Sequence, residues 1–322
     1  MKAIVYYEYG PPVDVLGLTE IDKPVVKDDE VLVRVHAAST NAGDWLTVRG
    51  LPYFMRMAFG LRKPKKNVPG TDIAGMVEEV GKDVKQFQAG DEVFGWCTGA
   101  FAEYACADAD HFVAKPAELT FEQAAAVGAS AHAALQAVRD LGDVQSGQKV
   151  LIIGASGGVG TFAVQIAKSC GAEVTGVCST QNVDMVKSIG ADQVIDYTQE
   201  DFTQSGLRYD VILDIAGNRP LSSLRSMLTP KGTLALVGGR GGPWTMGFGR
   251  TIRGLVLSPF VSQRLRFSVM MPNQADLVVL KELTEAGKVT PVIDRTYPLS
   301  ETPLAVGHVD EGHAQGMTVI TV

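Results

Sequence analysis

Cysteine is scarce in this chain of 322 residues: there are four, Cys97, Cys106, Cys170 and Cys178, with no CxxC pair among them. That excludes a disulfide framework and a four-thiolate structural zinc site. Long apolar runs are also missing, none approaching the roughly 18 residues that a membrane span needs. Met1-Lys2 leads directly into the strand-like Ala3-Ile4-Val5-Tyr6-Tyr7, with no secretory leader in view. A cytoplasmic chain with no membrane partner is the expectation. There is no basic surplus either: 29 Lys and Arg stand against 36 Asp and Glu, a net charge of −7, which argues against a nucleic-acid partner. Repeats and low-complexity tracts are absent. What remains is 46% hydrophobic and 20% charged, a globular balance, in a chain long enough for two domains.

The two parts differ in pattern. Glu30 to His36 alternates with period two, and Thr71 to Val80 and Asp91 to Phe94 follow as further strands with turn glycines at Gly75, Gly81 and Gly90. No helical stretch is expected before about residue 120, so this part reads as an all-β module. Thr120 and Gln123 then have capping-box spacing and open an Ala-rich helix. From Lys149 strands alternate with helices: Lys149–Ile153, Glu173–Cys178, Gln193–Tyr197, Asp210–Ile215 and Thr233–Val237, with a helix carrying Val159, Phe162, Ala163, Ile166 and Cys170 on its apolar face. Such alternation means βαβ units and a parallel sheet. Asn273-x-x-Asp276 caps another helix ending at Gly287, and the tail alternates again through Val289–Ile293 and Thr318–Val322. A tail this short cannot build its own core and is expected to return to the N-terminal module.

Ala155-Ser156-Gly157-Gly158-Val159-Gly160 follows a strand and opens a helix, the context in which a glycine-rich turn binds a dinucleotide. Gly158 lets backbone approach a pyrophosphate, Gly160 lets helix and strand pack closely, and the helix start offers free N–H groups. An NAD site places an acid about 20 residues further on to hold the ribose diol. Here the second strand ends in Cys178-Ser179-Thr180-Gln181-Asn182, with no acid before Asp184. Hydroxyls and an amide accept a 2′-phosphate where an acid repels it, so NADPH is favoured over NADH, although no Arg or Lys stands in this stretch. Tyr197, at the end of the third strand, adds a phenol.

These residues resemble the medium-chain dehydrogenase/reductase superfamily, and within it the zinc-free quinone oxidoreductase (zeta-crystallin-like) branch. The likeness is carried by Gly147-Gln148-x-x-Leu151-x-x-x-Ala155-Ser156-Gly157-Gly158-x-Gly160-x4-Gln165-x-x-Lys168, by Ser39-Thr40-Asn41-Ala42-Gly43-Asp44, by Arg49-Gly50, by Gly70-Thr71-Asp72-x-x-Gly75 and by Gly312-His313-Ala314. The resemblance implies an α/β fold: a Rossmann doubly wound parallel sheet over residues 121–274 plus a GroES-like β-rich catalytic domain from residues 1–120 and 275–322. It also implies a homodimer and an active site in the cleft facing the cofactor domain. Zinc-using relatives carry Cys-His where this chain has Asn41-Ala42, and Gly-His-Glu where it has Gly70-Thr71-Asp72, so no metal is expected.

Without a Lewis acid a simple ketone is a hard substrate, whereas hydride addition to a conjugated acceptor spreads the negative charge. The expected activity is therefore NADPH-dependent reduction of a quinone, an enone or a similar hydrophobic carbonyl substrate. A zinc-independent NAD(P)-dependent alcohol dehydrogenase, or a low-turnover NADPH-binding redox sensor or structural protein, are the alternatives. By resemblance Asn41 lines the nicotinamide side of the cleft; a turn residue is the plain alternative. Tyr53 is either a donor to the enolate oxygen or an aromatic wall. Val237, Gly238 and Gly239 end the fifth strand, where backbone must come close to the nicotinamide. By resemblance these and the strand around Phe267 and Val269 hold the carboxamide. The chain departs from its relatives at Ala133, Gln181 and Met317, where a Thr, an Arg and a cation are common. Arg56, Arg62, Lys63, Lys65 and Lys66 form a basic loop with interleaved aromatics, read as a solvated loop or a lid. The stretch from Gly238 to Arg266 holds seven glycines with Trp244, Met246, Phe248 and Phe260, and reads as a gate or a dimer edge.

Overall fold

The computed structural model describes residues 1–239, 242–312 and 314–322. His313 of the Gly312-His313-Ala314 motif lies outside the described residues. The chain forms two compact units, one of residues 1–132, 271–287 and 291–322, the other of residues 133–270 and 288–290. The exchange of chain between units thus falls at His132/Ala133, twelve residues beyond the boundary expected from the sequence, and at Met270/Met271, four before it.

The first unit is built on a seven-stranded sheet. Its order is Ile293–Pro298, Met317–Thr321, Glu30–Thr40, Asp72–Val80, Glu92–Trp96 and Phe112–Ala114, with Tyr104–Asp108 added against the first half of Glu30–Thr40. The tail does return to this sheet, with Met317–Thr321 pairing antiparallel to Ala37–Thr40. The strand expected at Val289–Ile293 begins instead at Ile293, and the helix Thr302–Glu311 follows it. Ile4, Val33, Val35, Ile73, Phe101, Phe112, Val306 and Ile320 fill the core.

This unit is not all β. A helix runs from Ala42 to Arg49, and short turns of helix cover Tyr53–Met55 and Arg56–Phe59. The first is set by its ends. Asn41 Oδ1 accepts from the Gly43 N–H at 2.8 Å, and Asp44 Oδ2 accepts from the Asn41 N–H at 2.8 Å. Gly50, with φ of 64°, closes the helix as only glycine does cheaply. Arg56 locks that end by donating to the carbonyls of Arg49 and Gly50.

The second unit carries six parallel strands in the order Gln193–Asp196, Glu173–Cys178, Lys149–Ile153, Tyr209–Asp214, Leu228–Leu236 and Arg264–Phe267. In chain order this is 3-2-1-4-5-6, and it reverses beside Lys149–Ile153, the topological switch where such sheets bind nucleotides. The helix Gly158–Ser169 leaves that strand. Its apolar stripe is wider than the sequence pattern suggests: every residue from Gly160 to Ala167 is buried, while Cys170 is exposed. Gln165 explains the second covered face. Its Nε2 donates to the Thr290 carbonyl at 3.0 Å and its Oε1 accepts from the Thr290 N–H at 2.8 Å. This clasp draws Lys288–Thr290 into the cofactor-type unit.

Candidate active-site regions

In the second unit the glycine turn is dictated by contact. A Cβ on Gly160 would lie 2.0 Å from the Gly154 carbonyl oxygen, so only glycine lets the helix start against the strand. Gly154 itself takes φ of 89°. Gly157 caps the helix without any side-chain bond, and the first helical bond runs from the Thr161 N–H to the Gly157 carbonyl. The N–H groups of Gly158, Val159 and Gly160 precede it and are the unspent donors of a helix start. Ala155 is fully buried, whereas Ser156 to Val159 are partly exposed.

The strand end beside this turn is knit together by hydroxyls and one amide. Asn182 is 4% exposed, and its Nδ2 donates to Ser156 Oγ at 3.2 Å and Ser179 Oγ at 3.1 Å. Its Oδ1 is buried with no donor among the described residues, an acceptor suited to a ribose hydroxyl. Cys178 is buried, which pushes its thiol up to about 11. Thr180 donates to Asp196 Oδ2 at 2.6 Å, an acid that arrives from the neighbouring strand Gln193–Asp196 and so stands outside the sequence of the second strand. Bonds from Thr180 and Thr198 hold Asp196 below the usual carboxylate range. Tyr197 beside it is half exposed. These residues fit a dinucleotide: unspent backbone donors for a pyrophosphate, an orphaned acceptor, and hydroxyls at the strand end.

Val237 and Gly238 both donate their N–H to the Asp214 carbonyl at 3.1 Å. Gly238 is glycine for an internal reason, since a Cβ would meet the Ile215 carbonyl oxygen at 1.8 Å, and a Cβ on Gly239 would meet the Gly247 Cα at 2.8 Å. Phe267 ends its strand partly exposed, and Val269 lies beyond it in an exposed segment.

In the first unit a different kind of site gathers around two buried carboxylates. Asn41 Nδ2 donates to Thr71 Oγ1 at 2.9 Å and to Asp72 Oδ2 at 3.0 Å, so its whole amide serves internal bonds. Asp72 is fully buried, and burial pushes its carboxyl up to about 6 against the bonds it accepts. Asp44 is 2% exposed, and burial and the charge of Asp72 push its carboxyl well above the usual range. Thr71 hydrogen-bonds to both carboxylates. Gly128 is the backing: a Cβ there would overlap Asp72 Cγ at 2.1 Å. Burial near both acids also pushes the Cys97 thiol far up, so it is an inert thiol. His132 is buried, bonded to the Gly128 and Asn273 carbonyls, and its pKa is lowered by burial.

Asp44 and Thr71 border a cavity of about 370 Å³ together with Tyr6, Thr47, Phe59, Lys66 and Val68. Tyr53 does not line it; Arg56 stacks over the Tyr53 and Tyr9 rings at 4.8 and 4.6 Å. The basic loop divides accordingly, with Arg56 a structural clamp and Lys65 and Lys66 at the cavity. At the position of the zinc ligands, Asn41, Thr71 and Asp72 offer an amide, a hydroxyl and one carboxylate, the first already spent. That set holds neither thiolate nor imidazole and does not fit a catalytic zinc ion. The one trio among the described residues with ligand atoms in mutual reach is Asp108, Asp110 and His111, on a turn with both acids exposed.

A Rossmann sheet with a glycine turn at its switch point, joined in one chain to a GroES-like β unit with an acid-lined cavity, defines an oxidoreductase of the medium-chain type. The models of the alcohol dehydrogenase GroES-like domain and of the zinc-binding dehydrogenase match residues 27–117 and 189–320. The chloroplast envelope quinone oxidoreductase homolog of Arabidopsis thaliana is 32% identical, over 99% of this chain and 98% of its own length. The mitochondrial NAD(P)H oxidoreductase RTN4IP1 of Mus musculus is 34% identical, over 100% and 89%. Among solved structures, the quinone oxidoreductase from Coxiella burnetii superposes with a TM-score of 0.88 at 32% identity, covering 100% of this chain and 99% of that one. An NAD-dependent alcohol dehydrogenase superposes at 0.85 with 26% identity, covering both chains fully. The chain belongs to the quinone oxidoreductase branch of the medium-chain dehydrogenase/reductase superfamily.

Proposed function

We propose that this chain is a zinc-free reductase that uses NADPH to reduce a quinone, an enone or a similar hydrophobic conjugated carbonyl. The observation that carries the reading is the Asn41–Thr71–Asp72 network: an amide and a hydroxyl stand where a metal site needs soft or imidazole ligands. Negative charge on the acceptor oxygen must then be relieved by conjugation and protonation, which suits quinones and enones better than simple ketones.

The reduced nicotinamide supplies the hydride when bound. The unspent N–H groups of Gly158, Val159 and Gly160 hold the pyrophosphate, with Ala155, Ser156 and Gly157 shaping the turn. Asn182 fixes Ser156 and Ser179 and receives a ribose hydroxyl, while Ser179, Thr180 and Tyr197 surround the 2′-phosphate. The backbone of Val237, Gly238, Gly239, Phe267 and Val269 holds the carboxamide. In the first unit Asp44, whose carboxyl burial pushes well above the usual carboxylate range, passes a proton through Thr71 to the acceptor oxygen. Asn41 is a positioning residue that fixes Thr71 and Asp72.

The test is oxidation of NADPH and of NADH in excess chelator against quinones, enones and simple aldehydes, with reduction of NADP+ and NAD+ by simple alcohols as the reverse assay. Chelator-resistant NADPH turnover confined to the conjugated acceptors supports the reading. Turnover of simple aldehydes with NADH, and of simple alcohols with NAD+, would replace it with a zinc-independent alcohol dehydrogenase, the reading that the 26% identical structure favours. Tight binding with no turnover on any acceptor would make the chain a nucleotide-binding sensor.

A further inference from the structure

Residues 45–71 hold six Arg or Lys and no Asp or Glu. Two of the six are spent: Arg49 pairs with Asp310, and Arg56 donates to the carbonyls of Arg49 and Gly50. Arg62, Lys63, Lys65 and Lys66 have no ion pair among the described residues. Of these four, Lys65 and Lys66 alone line the cavity of about 370 Å³ that Asp44 and Thr71 border. Backbone bonds pin them there. The Lys65 N–H donates to the Phe59 carbonyl at 2.8 Å, and the carbonyl of Asn67, next along the chain, accepts from the Tyr6 N–H at 2.9 Å.

Tyr6 meets the same cavity from beyond the strand Lys2–Val5. It is 3% exposed, yet its phenol makes no hydrogen bond among the described residues. A buried donor left unbonded is costly unless a ligand completes it. Burial and the nearby Tyr9 and Asp44 push this phenol up to about 12, so it stays an O–H donor at neutral pH. Thr47 and Thr98 add hydroxyls to the lining. Lys66 reaches inward, since its charge acts on the buried Cys97 thiol and opposes the upward push of burial. The single acid of the lining, Asp44, is held well above the usual carboxylate range and opposes an anion the less.

We propose that the acceptor is itself an anion: a conjugated carbonyl compound whose far end carries a carboxylate or a phosphate, held by Lys65, Lys66 and the Tyr6 phenol while its carbonyl oxygen lies toward Thr71. Two ammonium groups and an unbonded phenol are donors without acceptors, the complement of an oxyanion. A neutral quinone would use none of them. The volume falls in the range of small-molecule sites, roughly 300–1,000 Å³. This class of substrate rests on the reductase reading given above and narrows it. The oxyanion takes no part in the electron flow: the conjugated carbon gains hydride from the reduced nicotinamide, the carbonyl oxygen gains a proton, and the carboxylate or phosphate is unchanged in the product.

The test uses the full-length protein, NADPH and three benzylideneacetones that carry a carboxylate, a phosphate or a neutral carboxamide at the para position of the ring. For at least one of the two anions, kcat/KM is expected to exceed that of the carboxamide by about tenfold or more, through KM, and the larger ratio assigns the group. The ratio is read within each variant, so a general loss of activity does not enter it. Lys65→Gln with Lys66→Gln is expected to bring it below about threefold, and Tyr6→Phe to lower it several-fold, with thermal unfolding as the check on folding. Arg62→Gln with Lys63→Gln, cations of the same loop outside the cavity, keeps the parent's ratio. A parent that treats the three acceptors alike, a Lys65, Lys66 variant that keeps the preference, or an Arg62, Lys63 variant that loses it would overturn the proposal. Should none of the three oxidise NADPH, the reductase reading falls, and calorimetric titration with benzoate, phenyl phosphate and benzamide decides the anion site alone. Binding of either anion that the Lys65, Lys66 variant abolishes supports the site; binding of neither, or equal binding of benzamide, removes it.

Discussion

The two candidate site regions, proposed above for the same task of fixing a small ligand, are built from opposite materials. The glycine turn at Ala155–Gly160 is a backbone device: its donors are N–H groups, and its one strict requirement is a missing Cβ at Gly160. The cavity edge in the first unit is a side-chain device, two buried acids held by Asn41, Thr71 and Ser39 from separate strands and turns. A backbone site is charge-neutral and indifferent to pH. A site of buried carboxylates with no cation bonded to them stores electrostatic strain and changes with pH.

The sharpest way to break this contrast is to put a charge into the backbone device. Gly158→Asp sets a carboxylate where the pyrophosphate belongs, and a loss of at least about 3 kcal/mol, roughly 100-fold in affinity, is expected. A fluorescence titration showing normal binding would remove the turn from the site.

The converse test addresses the acids. Asp72 has a folded pKa near 6, above its unfolded value, so the folded state binds the extra proton between about pH 4 and 6 and stability falls as pH rises through that window. Asp72→Asn is expected to flatten that fall, an effect on the order of 2 to 3 kcal/mol across it. Urea unfolding at pH 4.5 and 7 reads this out, and a variant as pH-dependent as the parent would place the strain elsewhere.

Gln165→Ala deletes both part-buried bonds to Thr290, which costs about 1 to 2 kcal/mol. The expected sign is a lower urea midpoint with unchanged slope. The smallest effect concerns the 2′-phosphate. Asn182 is buried and committed to Ser156 and Ser179, so a cation belongs at the exposed neighbour instead. Gln181→Arg is expected to tighten NADPH over NADH by about 1 kcal/mol, roughly fivefold. Equal tightening of both would mean that the phosphate is bound elsewhere.

The same contrast explains what could be read from the sequence. The glycine turn, the parallel strands and the capped helices at Thr120 and Asn273 are local, and their residue types are required by backbone geometry at fixed spacing. The helix Ala42–Arg49 was equally local, since Asn41, Asp44 and Gly50 are its start and stop signals, but strand alternation on either side outweighed them. The acid network was not legible, because residues 39, 41, 44, 71, 72 and 128 meet only in the folded sheet. Asp196 escaped for that reason too, reaching Thr180 across neighbouring strands.

The Gln165–Thr290 clasp bears on how the chain is made. The second unit takes residues 288–290 from far downstream, and the first seats Met317–Thr321 inside its sheet, between Ile293–Pro298 and Glu30–Thr40. During synthesis the second body is therefore complete only after residue 290, and the first only after residue 321. Until then the Ala37–Thr40 half of the strand Glu30–Thr40 waits with one edge open, a period in which a chaperone that shields strand edges has the most to do.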